Sequence, residues 1–214
     1  VEHVGKYFSC RGPLNVIPSP QVSPLLIQAG SSPRGLAFSV KHAEVQFAVR
    51  GSAEGMKQHR QALNKALAQQ GRAPTDLKVL WGVNVIVDET AAGAEAKKEA
   101  LLSVATDEAA LALMSGHFNF DLSKLPANEP IGALETDGIQ GMIDMVINDF
   151  GDNVTLLEAA RRYGTAVGVM SIVGTPQQAA DRLEELYDIG EGDGFMLMTQ
   201  SLPASVTDLV DLLV

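Results

Sequence analysis

The sequence contains one cysteine, Cys10, among its 214 residues. A single thiol cannot form a disulfide within the chain, and it cannot supply the several thiolates of a structural zinc site. We interpret Cys10 as a small residue in a partly buried strand. The sequence predicts no bound metal.

Long apolar runs are also absent. No window approaches the roughly 18 to 20 uninterrupted apolar residues of a membrane span, and the first residues, VEHVGKYFSC, lack the order of a signal peptide. We therefore expect a soluble protein with a cytoplasmic location and no membrane partner.

Positive charge is in short supply. The chain has 16 lysines and arginines against 26 aspartates and glutamates, which gives a formal net charge of −10. Such a charge repels a phosphate backbone, so we expect no nucleic-acid partner.

Familiar catalytic motifs are missing too, since there is no Gly-x-Ser-x-Gly elbow, no His-Glu-x-x-His pair and no P-loop.

Four apolar runs have the character of strands buried on both faces of a parallel sheet. They are PLLIQA (24–29), AEVQFAV (43–49), LKVLWGVNVIV (77–87) and GFMLMT (194–199). Helical patterns lie between them, such as AEGMKQHRQALNKALAQQG, which ends at Gly71, and TPQQAADRLEELYDIG, which Thr175 caps. This alternation predicts right-handed crossovers and a parallel α/β sheet.

Residues 88–174 are too long for an ordinary crossover. They contain an alanine-rich helix, the irregular stretch SGHFNFDLSKLPANEPIGALETDG and further helical patterns. We interpret them as an insertion, or helical excursion, before the last strand. In a parallel α/β barrel such an excursion leaves the carboxyl ends of the strands and walls the active site. A packing appendage or an oligomer contact is the alternative.

A turn of small residues, Gly30, Ser31, Ser32 and Pro33, joins the first predicted strand to a helix. Gly30 permits close approach of the backbone, and Ser32 stands in the cap position with Pro33 first in the helix. The unpaired N–H groups of a helix start carry about half a positive charge and form a pocket for a phosphate or another small anion. Ser32 therefore either binds an anion or only caps its helix.

Four segments, read in order, resemble the signatures of the luciferase-like flavin monooxygenases. They are HVGKYFSCRGPLN, PLLIQAGSSPRGLAFSVKHAEVQF, SGHFNFDLSKL and VGTPQQAADRL with the following GDGFMLM and LP. The similarity is greatest to the branch of the nitrilotriacetate and dibenzothiophene-sulfone monooxygenases. The sequence departs from the family at Val22, where glycine is usual, and at Phe118 and Asn119, where a Thr-Gly pair is common.

The resemblance implies a (β/α)8 TIM barrel in a chain about twice as long as this one. Residues 1–214 would then form a partial single domain, the carboxyl-terminal half of the barrel with strands five to eight and the insertion 88–174. Half a barrel leaves strand edges unpaired. We therefore expect these residues in isolation to associate, to bind FMN weakly and to be inactive.

The resemblance also implies a flavin-dependent monooxygenase, in which reduced FMN and dioxygen oxygenate a small organic substrate such as an aminopolycarboxylate or a sulfone. Ser32 matches the family's phosphate-binding serine, with Gly30 and Ser31 forming the turn around it. His117 is the candidate catalytic residue, because a neutral imidazole can donate to a polar substrate. The alternative for His117 is a satisfied loop histidine, and His59, on the polar face of a long helix, is interpreted as structural or solvent-facing.

Two other functions stay open. The same superfamily contains deazaflavin-dependent reductases, which transfer hydride and ignore dioxygen, and a flavin-binding paralogue without activity would retain the fold. For the monooxygenase, the expected partners are a small-molecule substrate, a flavin reductase that supplies the reduced FMN, and further copies of the chain in a homo-oligomer.

Overall fold

The computed structural model describes residues 2–13, 15–30, 33–131, 146–147, 151, 153–166, 169–199 and 201–214. Its main sheet has five parallel strands, and a separate antiparallel ribbon of two strands precedes it in the chain. Strands and helices alternate along the sheet, which confirms the predicted α/β class. The arrangement is that of a TIM-barrel-type fold, and the described strands form an open sheet.

The strands are β1 (Glu2–Val4), β2 (Ser9–Arg11), β3 (Ile27–Ala29), β4 (Val45–Ala48), β5 (Lys78–Val87), β6 (Met170–Gly174) and β7 (Gly194–Leu197). The helices are α1 (Pro33–His42), α2 (Ala53–Gln69), α3 (Ala91–Val104), α4 (Asp107–Phe118), α5 (Leu156–Ala166), α6 (Pro176–Gly190) and α7 (Ala204–Leu212). Single turns of 3-10 helix lie at Pro74–Asp76 and Leu122–Lys124.

Strand β5 is the centre of the sheet. Its sequence, KVLWGVNVIV, is almost continuously apolar, as expected of a strand covered on both faces. It pairs with β4 through residues 78–81, with β7 through residues 80–83 and with β6 through residues 83–87. Strands β4 and β7 both pair with Leu80 and Trp81, so they lie on opposite sides of β5. Strand β3 extends the sheet beyond β4.

Strand β6 lies within residues 88–174, for which the sequence predicted only helical and irregular structure. Its five residues, MSIVG, are too few to give a clear periodicity. The strand forms because the last five residues of β5 extend past the end of β4 and offer it a partner.

The segment that contains β3 is more exposed than the sequence predicted, since the prediction was a strand buried on both faces. Leu25, Leu26 and Ile27 are 53%, 49% and 52% exposed, because among the described strands β3 pairs with β4 alone. Cys10 lies in a strand as predicted, but β2 is exposed along its whole length, so the expectation of partial burial was wrong.

The buried apolar residues form two clusters. The first surrounds Trp81, which is fully buried as predicted, and it joins β5 to α2 and α6 through residues such as Met56, Leu63 and Leu186. The second lies between α4 and α5, around Met114. The sheet and the α4–α5 pair thus have separate hydrophobic centres.

Hydroxyl groups cap the helices that follow β4, β5 and β6. Ser52 Oγ accepts the N–H of Gly55 at the start of α2, and Thr175 forms the predicted capping box with Gln178 at the start of α6. Gly71, with a φ of 70°, follows the end of α2 as predicted.

Candidate functional site

The carboxyl ends of β3 and β4 lead into the amino ends of α1 and α2, at one edge of the sheet. Gly30 follows β3 with a φ of 134°, a conformation that favours glycine, and a Cβ there would lie 3.0 Å from Gln28 Nε2. Helix α1 begins at Pro33, as predicted. Ser31 and Ser32 lie outside the described residues, so their role in binding phosphate stays a prediction.

A cavity of about 770 Å³ lies between the starts of α1 and α2. Its wall includes Pro33, Arg50, Ser52, Glu54, Gly55 and His59. Two helix amino ends and one guanidinium therefore face the same space, against one carboxylate. Helix dipoles and the charge of Arg50 favour an anion in such a place.

A chain of hydrogen bonds runs beneath this cavity. Arg50 Nη2 is 2.5 Å from His59 Nδ1, and His59 Nε2 is 2.9 Å from Gln46 Oε1. Gln46 Nε2 then donates to the carbonyl of Gly30 and to Ser39 Oγ, both at 3.1 Å. Gln46 and Ser39 are fully buried and His59 is 5% exposed.

The direction of these bonds follows from the chemistry of each group. Burial, with the charges of Arg50 and Arg60, lowers the pKa of His59 from 6.5 to about 4, so the imidazole is neutral at pH 7. Arginine has no acceptor, so Nδ1 of His59 accepts and Nε2 carries the proton. Every bond from Arg50 to Gly30 therefore donates in the same direction.

A second group of polar side chains lies at the end of β5. Lys97 Nζ is 2.7 Å from Asp208 and 3.0 Å from both Asp88 and the carbonyl of Val87. The hydrogen bond to Asp208 raises the pKa of Lys97, and the hydrogen bond from Lys97 lowers that of Asp88. The neighbouring cavity, about 490 Å³, is lined mainly by apolar side chains. Through these contacts Lys97 links α3 to α7 and to the end of β5. Its ammonium group stays charged.

His117 lies in the last turn of α4. The residue is exposed, and its Nδ1 is 2.9 Å from the hydroxyl of Tyr163 on α5. Burial raises the pKa of Tyr163, which therefore stays protonated. The structure thus puts the predicted catalytic histidine on the α4–α5 pair and Gly30 on the main sheet.

The model of the luciferase-like monooxygenase family matches residues 1–191. The chain belongs to this family. The four segments singled out in the sequence analysis lie within that match or directly follow it, and the resemblance proposed from them is confirmed.

Two curated luciferase-like monooxygenases represent the predicted branch. Dibenzothiophene-sulfone monooxygenase of Rhodococcus erythropolis is 34% identical over 217 residues, covering 99% of this chain and 48% of that protein. Nitrilotriacetate monooxygenase component A of Aminobacter aminovorans is 34% identical over 218 residues, covering 100% of this chain and 48% of that protein. The chain therefore spans about half the length of the curated relatives it matches.

A solved structure of similar shape is that of riboflavin lyase with modified FMN and the substrate riboflavin. It matches with a TM-score of 0.85 at 28% identity, covering 99% of this chain and 46% of that chain. Luciferase-like monooxygenases and this lyase therefore share the fold described above. None of the helices that the structure describes is long and apolar enough to cross a membrane.

Sequence reasoning on this member of the luciferase-like monooxygenase family missed Arg50, Gln46 and His59. His59 was assigned to the polar face of α2, yet it lies three residues after Met56 and four before Leu63, both fully buried. That spacing belongs to the apolar stripe and was the available signal. Gln46 gave no signal, because a single amide in a short strand run is equally compatible with an exposed edge.

Proposed function

We propose that these residues belong to an FMN-dependent monooxygenase, which uses reduced FMN from a separate flavin reductase and dioxygen to oxygenate a small organic substrate. The observation that carries the proposal is the family match over residues 1–191, supported by relatives named as monooxygenases. The relatives' names favour a sulfone or an aminopolycarboxylate as substrate, and the name "component A" supports a two-component system. A cytoplasmic homo-oligomer is part of the same proposal.

The turn from Gly30 to Pro33 is where this chain would hold the phosphate of FMN. The cavity beside it fits a phosphate, because two helix amino ends and Arg50 border it, and because Gly30 lets the backbone approach closely. Bound FMN supplies the redox chemistry with dioxygen. The protein's part is to bind the phosphate, orient the flavin and exclude water.

Residues 88–174 would enclose the substrate, with His117 donating to it. The hydroxyl of Tyr163 lies 2.9 Å from His117 Nδ1, and because a phenol O–H can both donate and accept, this bond is compatible with either tautomer of the imidazole. A ring N–H of His117 can donate a hydrogen bond to a polar substrate atom.

Oxygen consumption by the complete protein tests the proposed activity. With reduced FMN and dioxygen, uptake of oxygen should increase when a sulfone or an aminopolycarboxylate is added, and an oxygenated product should form in equal amount. Substrate reduction by a reduced deazaflavin without oxygen uptake would instead identify a reductase. Flavin binding without turnover of any tested substrate would identify a paralogue without activity.

The variant Ser32→Ala tests the phosphate turn. Losing one hydrogen bond to a charged phosphate should weaken binding of reduced FMN about tenfold, with little change in stability. Titration of the complete protein with reduced FMN under anaerobic conditions measures this. Ser103→Ala is the matched control, because Ser103 is an exposed serine on α3 whose hydroxyl donates to Ala100. Equal affinities of Ser32→Ala and wild type for reduced FMN would show that Ser32 does not bind the phosphate.

A further inference from the structure

The carbonyl of Gly30 is held from inside the protein by a side chain of the neighbouring strand. Gln46 Nε2 donates to it at 3.1 Å, and the adjacent carbonyl of Ala29 accepts from Gln28 Nε2 at 2.7 Å. In a planar trans peptide the N–H points away from the C=O of the same unit. The bond to the Ala29 carbonyl therefore fixes the direction of the Gly30 N–H, which belongs to the same peptide unit, while the bond from Gln46 fixes the Gly30 carbonyl.

Gln46 can hold this position because its own amide is fixed at three points. Its nitrogen donates to Gly30 and Ser39, and its oxygen accepts from His59 Nε2. Ser39 Oγ in turn donates to Gln28 Oε1, which sets the other side chain that binds the turn. The amide of Gln46 therefore has a single orientation that satisfies all of its partners.

His59 connects Arg50, at the wall of the cavity, to Gln46. Its Nδ1 accepts from Arg50, whose guanidinium lines the same cavity as Pro33, and its ring packs edge-on against Trp81 at 5.8 Å between centroids. Since Arg50 can only donate, it selects the tautomer of His59 that can donate to Gln46. The charge of Arg50 and the backbone of the Gly30 turn are thus joined by two neutral side chains.

We propose that Gln46 and His59 are positioning residues for the proposed phosphate turn, residues 30–33: with Arg50 they hold the backbone of Gly30 in the orientation in which the turn binds the phosphate of FMN. This inference rests on the proposed function, because it concerns the same turn. It adds residues that touch no ligand themselves and act through the backbone of Gly30.

The test compares FMN with riboflavin, which has the same ring system and no phosphate. Dissociation constants are measured for both ligands on the complete protein and its variants, and their ratio reports phosphate recognition alone. Gln46→Glu keeps an acceptor for His59 and removes the donor to Gly30. We expect it to weaken FMN binding about tenfold, since one oriented amide contact to a charged phosphate is lost, and to change riboflavin binding by less than about twofold.

A pair of substitutions at His59 separates positioning from simple loss of a buried side chain. His59→Gln has both a donor for Gln46 and an acceptor for Arg50, so its FMN-to-riboflavin ratio should equal that of wild type. His59→Leu has neither, and its ratio of FMN to riboflavin dissociation constants should rise by about the same factor as in Gln46→Glu. If Gln46→Glu does not fold, this pair decides the question.

Arg60→Gln is the matched control. Arg60 is the next residue of α2 and is 8% exposed, but it donates to Leu77 and Pro74 near the opposite ends of the strands. The Arg60→Gln variant should have the wild-type ratio of FMN to riboflavin dissociation constants, whatever the change in its stability. A wild-type ratio in both Gln46→Glu and His59→Leu overturns the positioning role alone. A wild-type protein that binds FMN and riboflavin equally overturns the phosphate turn, and the positioning role with it.

Discussion

Replacing Asp193 by alanine is expected to lower the free energy of unfolding by about 3 to 5 kcal/mol, the cost of leaving a buried charge without its partner. Asp193 Oδ2 lies 3.5 Å from Arg60 Nη2 and accepts the N–H of Val79 at 2.9 Å, while Oδ1 accepts from Lys78 at 2.9 Å. The side chain of Arg60 is only 9% exposed. Urea unfolding of the complete protein at pH 7 measures the loss.

Two further variants show whether burial is the cause. Asp193→Asn keeps an oxygen for the N–H of Val79 and loses only the charge, so its stability should lie between those of wild type and Asp193→Ala. Asp107→Asn breaks the exposed pair of Asp107 with Arg161, in which both side chains are about half exposed, and should leave the unfolding curve unchanged. Equal losses from Asp193→Ala and Asp107→Asn would contradict the argument.

The stability of the protein is expected to fall by about 3 kcal/mol between pH 6.5 and pH 4 because of His59 alone. The folded pKa of His59, about 4, lies below the ordinary value of 6.5, chiefly through burial and then through the charges of Arg50 and Arg60. In this window the unfolded chain binds a proton that the folded chain excludes. The contribution of His59 is therefore complete above pH 6.5 and is lost as the pH falls towards 4.

The comparison with His59→Gln isolates this effect. Glutamine can keep both hydrogen bonds and does not titrate, so the variant should resemble wild type at pH 7 and lose less stability at pH 4. The carboxylates that titrate in the same range are common to both proteins and cancel in the difference. Parallel unfolding free energies for the two proteins from pH 7 to pH 4 would show that His59 is not buried as a neutral imidazole.

The centre of the fold was predictable because its signals are local and redundant. The continuous apolar run of β5, the Thr175 capping box and the start of α1 at Pro33 each follow from a few neighbouring residues. The burial of Leu25 and Leu26 was predicted wrongly, because the composition of a strand does not reveal how many partners it has. Strand β6 was missed for a related reason, since it depends on the extra length of β5, far away in sequence.

The candidate site also has one part that the sequence predicted and one part that it did not. The turn at Gly30 was found because glycine, serine and proline mark a backbone conformation directly. The buried chain beneath it was not, because it joins residues of α1, β3, β4 and α2 that only the packed sheet brings together. Ser31 and Ser32 keep the phosphate-binding role that the resemblance implies, and His117 keeps its candidate catalytic role, as predictions.

Strands β6 and β7 both pair with β5, and this affects how the chain folds during its synthesis. Leu80 pairs with Gly194 and Val83 with Met170, so β5 leaves the ribosome long before either partner exists. At usual elongation rates this interval is on the order of 10 s, in which an apolar strand has unpaired N–H and C=O groups along part of its length. Nascent β5 is therefore the segment on which we expect a holdase chaperone to act, until translation delivers β6 and β7.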